Sequence, residues 1–273
     1  CYIRRSYVDL AGKLAEAEDE KKPVILQKLN DLKATLRDEP DLKTFLAEGL
    51  EAMEKRFSGY EMDTGIRLLD SYMNGINRKL LTVIGAETNH GKPALAIQLA
   101  WRNIDKGKRV HYYTYDLAAQ HIYMRLCLHA GGLSTDVLWK SFGITPEMRA
   151  DKLAEVRAIG ESIAEKHGAN ILLKEFTTLE DMETDMLAKP DIVIIDYLQK
   201  SVNWWKLGRE SWGEQDRWER YISRVKELGN RFNCAIVALS QFHSPAEKKT
   251  RKTEKPELSS FKGSGSIEQG AQE

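Results

Sequence analysis

With 273 residues the chain can hold one large domain and a smaller appendage around a substantial core. Lysine plus arginine and aspartate plus glutamate both number 41, so a partner held by overall charge is excluded, and any nucleic-acid surface has to be local. Cys1, Cys127 and Cys234 lie far apart, the last two in apolar surroundings, which argues against a disulfide framework; with no long apolar run and no signal-peptide pattern, a cytoplasmic protein is expected. An opening Cys1 in place of Met is expected of a fragment or a processed chain.

In chain order, Ile3, Tyr7, Leu10, Leu14 and Ala17 recur at helical spacing, with Arg4, Arg5, Lys13 and Glu16 on other faces. That is an amphipathic helix. Pro23 ends it, Ile25, Leu29, Leu32 and Leu36 form a second stripe, and Pro40 precedes a third with Leu46, Leu50 and Met53. Residues 1–59 are therefore expected to be a charged, all-helical extension. Its first helix either packs on its own domain or docks on a neighbouring subunit.

From Tyr60 the texture changes to short β-branched runs alternating with helical stretches, which predicts an α/β fold with a mostly parallel central sheet over residues 60–273. The runs are 80–84, 110–115, 171–173, 192–195 and 235–239. Each except the third is followed by a polar or small residue, and open α/β sheets bind ligands at the carboxyl ends of their strands. A site is thus expected from residues 85–93, 116, 196 and 240–241. The polar stretch 244–266 is the expected flexible region.

After the first run comes Gly85-Ala86-Glu87-Thr88-Asn89-His90-Gly91-Lys92-Pro93, then a helix. Counted back from Gly91-Lys92, Ala86 takes the place of the first glycine of a phosphate-binding loop, so the segment is a Walker A variant. Ala86, Asn89, His90, Gly91, Lys92 and Pro93 are the candidate nucleotide-binding residues. Loop amides and a helix N-terminus would surround the phosphates, with Lys92 supplying a cation to the β and γ oxygens. Pro93 stands where a Ser or Thr hydroxyl would bind Mg²⁺, and it also lacks an N–H. Proline is comfortable at the first helical position, although its preference for an extended preceding residue is expected to disturb Lys92. The bland alternative is an ordinary strand-to-helix turn.

Asp191-Ile192-Val193-Ile194-Ile195-Asp196 is an apolar strand ending in a carboxylate, the Walker B pattern, which makes Asp196 the candidate Mg²⁺ ligand. Asp116 ends another strand, where it would orient the attacking water as a general base or else simply cap a turn. Gln241, after Ala238-Leu239-Ser240, is placed to sense a γ-phosphate.

In this order the segments resemble the DnaB-like hexameric replicative DNA helicases, from about Tyr60 onward. The resemblance is carried by Thr64-Gly65-Ile66-Arg67-Leu68-Leu69-Asp70, the phosphate loop, Asp116 with Met124-Arg125, Asp196-Tyr197-Leu198-Gln199, Ser240-Gln241 and Gly265-Ser266-Ile267-Glu268-Gln269. It implies a RecA-like P-loop ATPase core using ATP and Mg²⁺, a homo-hexamer on single-stranded DNA, and a primase or helicase-loader partner, with no membrane role. On the family pattern Lys92 binds phosphate, Asp196 binds metal, Gln241 senses the γ-phosphate, and Asp116 stands for a catalytic glutamate one methylene longer. The helix around residues 3–17 resembles the linker helix that packs on the adjacent subunit. The loop containing Lys262, Gly263 and Gly265 resembles the one that touches DNA phosphates; from Ser244 to Lys262 six basic residues face three acidic ones. Trp204, Trp205 and Trp212 either stack on bases or pack against neighbours. Glu273 falls before the point where the family's arginine finger is expected, so none is assigned.

Two functions of different class remain open at this point. One is an ATP-driven ring motor on single-stranded DNA. The other is a catalytically impaired nucleotide- or DNA-binding scaffold, favoured by Pro93 and Asp116. A strand-exchange recombinase is disfavoured by Asp-Tyr-Leu-Gln and Ser-Gly-Ser-Ile-Glu-Gln.

Overall fold

The computed structural model describes residues 60–87, 90–134, 145–205 and 213–242, together with Lys43, Leu46, Ala47, Gly49, Leu50 and Ile267. The chain divides into two compact units, Cys1–Ser58 and Gly59–Glu273. The amphipathic stripe of residues 3–17 lies outside the described residues.

The second unit is built on five strands, β1 (Leu81–Ala86), β2 (Val110–Thr114), β3 (Ile171–Glu175), β4 (Ile192–Asp196) and β5 (Ala235–Gln241). They form one sheet in the order β1-β5-β4-β2-β3, and all four pairings are parallel. Every apolar run read from the sequence overlaps one of these strands, with Leu80 just before β1 and Tyr115 just after β2. Around them lie α1 (Arg67–Met73), α2 (Lys92–Asp105), α3 (Ala119–Ala130), α4 (Pro146–His167), α5 (Leu179–Asp185), α6 (Leu198–Trp205) and α7 (Glu214–Phe232). This is the RecA-like α/β architecture.

The continuous apolar runs follow from burial on both faces, since parallel sheets covered by crossover helices have no wet side. Side chains alternate between the two faces. Tyr113, Val193, Ile195, Ile236 and Ala238 pack in one cluster with α5, α6 and α7, while Val110, Tyr112, Ile192, Ile194, Val237 and Leu239 pack in another with α2, α3 and Ile163 of α4. Cys127 and Cys234 are free thiols within these clusters, and burial pushes the Cys234 thiol up to about 12.

Helix ends follow local chemistry. Thr145 accepts from the Met148 amide to cap α4, ahead of Pro146 in its first turn. Glu214 and Asp216 open α7, and Asn233 closes it in the left-handed conformation at φ 52°.

At the amino ends of the strands a charged network ties segments together. Arg78 pairs with Glu61 at 2.7 Å and with Asp191, and donates to the Asn233 carbonyl at 2.9 Å. Lys108 reaches Glu61 at 2.9 Å, and Asp191 accepts from the Arg109 amide at 2.7 Å. Arg78, first among the groups around it, holds the Glu61 carboxyl down at about 2. The Thr64–Asp70 segment is held similarly: Asp70 accepts from the Thr64 amide at 2.7 Å and its hydroxyl at 2.8 Å, and Asn103 of α2 donates to the Asp63 carbonyl at 2.7 Å.

Candidate functional site

β1 and β5 are neighbours in register, Ala86 opposite Gln241, so the phosphate loop leaves the sheet beside the end of the last strand. The loop turns back through Gly91, which caps α2 at φ 79°. That left-handed backbone is what calls for glycine, since no atom lies within 4 Å of an added Cβ. Asn89 lies outside the described residues, and His90 is exposed beside the turn.

Lys92 begins α2 and turns its ammonium back over the loop, donating to the carbonyls of Ala86 and Glu87, each at 2.7 Å. Burial lowers the pKa of this ammonium, while Asp196 and Glu87 act in the opposite sense. Pro93 is the second residue of the helix, not the first as expected, and Lys92 is helical rather than displaced into an extended conformation. Gly91 takes the sharp turn, so Lys92 can already join the helix. The missing N–H costs the helix nothing, because first-turn amides have no intrahelical partner.

Asp196 ends β4 and is 3 % exposed. Its Oδ2 accepts the Tyr112 hydroxyl at 2.6 Å. Burial pushes the carboxyl up from the ordinary aspartate range, the Tyr112 hydrogen bond resists, Asp116 adds to the rise, and Lys92 and Arg125 oppose it. Arg125 of α3 therefore belongs to the electrostatics of the site. Its Nε is buried with no hydrogen-bond partner among the described residues.

Asp116 follows β2 on a turn stapled by Thr114, whose hydroxyl donates to the Leu117 carbonyl at 2.7 Å and accepts from the Leu117 amide at 3.2 Å. The Tyr115 amide donates to the Asp196 carbonyl at 2.8 Å, so the ends of β2 and β4 stay joined beyond the strands. The Asp116 side chain is about half exposed and is ion-paired with Lys200 of α6.

Gln241 ends β5, and its amide donates to Gln199 Oε1 at 3.1 Å. Gln199 Nε2 donates in turn to the Ser240 hydroxyl at 2.9 Å and the Gln241 carbonyl at 3.0 Å. The glutamine of Asp-Tyr-Leu-Gln is thus the brace that seats the end of β5 against α6.

Lys92, Asp196, Asp116 and Gln241 are thereby gathered at the carboxyl end of one sheet. Tyr112, Gln199, Lys200 and Arg125 join them, and sequence reasoning gave these residues no role. Gln199 had a signal, as part of a specific motif. Tyr112 had none, because strand periodicity does not say which of Tyr112 and Tyr113 faces the aspartate. The tryptophans separate: Trp205 is 7 % exposed against Tyr221 in the core and cannot stack on bases, whereas Trp204 is 37 % exposed and packs on Phe176 with ring centroids 5.1 Å apart. Trp212, Lys262, Gly263 and Gly265 lie outside the described residues, although nearby Ile267 is buried in the α5–α7 cluster.

No group of three or more His, Cys, Asp or Glu that could hold a metal occurs among the described residues. The donor set does fit Mg²⁺ arriving with a nucleotide, since that ion commonly takes one or two carboxylates and completes its shell with phosphates and water. Asp196 is the carboxylate available, and burial of its charge favours a cation beside it. No described helix is long and apolar enough to cross a membrane.

Known proteins resemble this chain in sequence and in fold. The replicative DNA helicase DnaB of Treponema pallidum is 25 % identical over 243 residues, covering 84 % of this chain and 51 % of that protein. DnaB of Geobacillus stearothermophilus is 25 % identical over 218 residues, covering 76 % and 45 %. The chain spans about half the length of these curated relatives. Among solved structures, the ATPase domain of G40P superposes with a TM-score of 0.68 at 20 % identity, covering 86 % of this chain and 82 % of that one. A DnaB-like replicative helicase, studied with its interactions with primase, gives 0.65 at 19 %, covering 99 % and 65 %. The family described as DnaB-like helicase C terminal domain matches residues 61–273, and with its ordered motifs gathered on a RecA-like sheet the chain belongs to that family.

Proposed function

We propose that this chain is the motor core of a ring that hydrolyses ATP to move along single-stranded DNA and unwind duplex during replication. The observation that carries the reading is the convergence of Lys92, Asp196, Asp116 and the Gln199-braced Gln241 at the carboxyl ends of β1, β4, β2 and β5. Phosphate oxygens take over the Lys92 ammonium from the Ala86 and Glu87 carbonyls, while loop amides and the start of α2 face the same anion. Asp196 would hold Mg²⁺, directly or through water, and the bound ion would neutralise charge that develops on the phosphates. Asp116 accepts the proton of a water that attacks the γ-phosphorus as its bond to the β-phosphate oxygen breaks, releasing ADP and phosphate. Arg125 adds positive charge near the reacting group, and Gln241 registers the γ-phosphate. In this reading the helix of residues 3–17 docks on the next subunit of a hexamer, the loop with Lys262, Gly263 and Gly265 follows the DNA backbone, and a primase or loader engages the ring in the cytoplasm.

A second reading, a nucleotide-binding scaffold with little turnover, is favoured by one observation: position 93, in the first turn of α2, offers neither hydroxyl nor N–H. Nucleotide binding with and without Mg²⁺, together with ATP hydrolysis and forked-duplex unwinding in the presence of single-stranded DNA, separates the two. The motor reading expects Mg²⁺-dependent turnover stimulated by DNA. Equal binding with and without Mg²⁺ and no turnover would leave the scaffold.

A further inference from the structure

We infer that Lys200 is a positioning residue for hydrolysis, holding the Asp116 carboxylate in the orientation in which it takes the proton of the attacking water. The inference rests on Asp116 being the base. Asp116 sits on an exposed turn whose backbone is fixed by Thr114, but that staple leaves its carboxylate free to rotate. Among the described residues the partner that bonds the carboxylate is Lys200, which donates to Oδ1 and leaves Oδ2 able to accept from water. An aspartate reaches about 1.5 Å less far than a glutamate, one C–C bond, so its orientation matters more.

Lys200 stands on a rigid support. In the first turn of α6, Leu198 is fully buried, Ser201 donates its hydroxyl to the Leu198 carbonyl at 3.0 Å, and Gln199 grips the end of β5 through Ser240 and Gln241. Consecutive residues of one turn thus seat the γ-phosphate sensor and the base. The Lys200 ammonium also lies 5.7 Å from the centroid of the Tyr197 ring, whose face favours a cation and restrains the long side chain. Its bond to Asp116 raises the pKa of the ammonium further, so it stays charged. Both partners are nearly half exposed, and exposed ion pairs add little to stability. A stabilising role does not account for the pair, whereas orientation of a reacting group does.

The test is single-turnover and steady-state hydrolysis of γ-labelled ATP by the full chain, with Lys200→Met, Lys200→Arg, Asp116→Asn and the Lys200→Met/Asp116→Asn double variant. Lys200→Met should lower the hydrolysis rate about tenfold while leaving the KM for ATP and the melting temperature unchanged. Lys200→Arg should recover most of the rate, and Lys200→Met should have no further effect once Asp116 is Asn. If Asp116→Asn abolishes hydrolysis but Lys200→Met stays within about twofold of wild type, the positioning role is wrong and the base assignment stands. Wild type no faster than Asp116→Asn overturns both. A rise in KM at constant kcat would assign Lys200 to nucleotide binding instead.

Discussion

The two ends of the sheet treat charge in opposite ways. At the amino ends, Arg78 joins Glu61, Asp191 and the Asn233 carbonyl, and Asp191 also takes the Arg109 amide, so five segments are closed onto one another. Among the described residues at the carboxyl ends, Asp196 is buried with the Tyr112 phenol as its side-chain hydrogen-bond donor, Lys92 rests on two loop carbonyls, and the Arg125 Nε has no partner. The carboxyl groups report the contrast: Arg78 holds Glu61 down at about 2, whereas burial pushes Asp196 up. Charge at the first end stabilises the fold. Charge at the second is left with capacity that a nucleotide and its metal would use, at some cost to the folded state.

The sharpest break of this comparison is Asp196→Asn. Hydrolysis should fall at least about 100-fold, roughly 2.7 kcal/mol of barrier, because the carboxylate proposed to hold the metal is gone. Stability should move the other way. An aspartate whose folded pKa is raised contributes stability that is fully present below its unfolded pKa and is lost as pH rises through the folded value. At pH 7 the buried carboxylate is therefore a burden, and the asparagine variant should unfold at higher denaturant than wild type. A lower midpoint at pH 7 would mean that Asp196 stabilises the fold, and the contrast between the two ends would collapse.

Next in size is Arg78→Met, which leaves Glu61 and Asp191 without their shared cation. Because these side chains are a quarter to a half exposed, the loss should be about 2 kcal/mol, below that of a fully buried pair. Glu61 has a depressed folded pKa, so its contribution is present above about 4.5 and is lost as pH falls towards about 2. The variant should show a shallower acid limb in that window, with nucleotide affinity unchanged. Urea titrations at several pH values measure both; a midpoint and limb equal to wild type would reduce the network to inert surface pairs.

Pro93→Thr sharpens the comparison from the other side, by adding to the carboxyl end a ligand it lacks. Restoring a hydroxyl and an N–H in the first turn of α2 should raise Mg²⁺-dependent turnover about tenfold, close to 1.4 kcal/mol of barrier, with little change in melting temperature. Tighter Mg-nucleotide binding without faster turnover would shift the limiting defect to Asp116.

The strands were legible because sheets buried on both faces need uninterrupted apolar runs. Their carboxyl ends were less so. β1 runs on to Ala86 and β5 to Gln241, beyond the apolar residues, because pairing in the ladder is decided by backbone hydrogen bonds that hydropathy does not register. Adjacent Trp204 and Trp205 illustrate a second limit: which one a helix exposes depends on what packs against it, and α7 with Tyr221 claimed Trp205.

The sequence by itself determined the candidate site residues: Lys92 after its glycine turn, and Asp116, Asp196 and Gln241 at or just after strand ends. Lys92 is marked by its loop pattern and the other three by a local transition from apolar run to polar residue, so each can be read without knowing what packs against it. Only the tertiary structure decided who serves them. Tyr112 reaches Asp196 across 84 positions and Gln199 reaches Gln241 across 42, because the sheet orders its strands β1-β5-β4-β2-β3 and not as they follow in the chain. Strand order is settled by which faces and edges pack best together, a property of the whole core that no local pattern of residues contains.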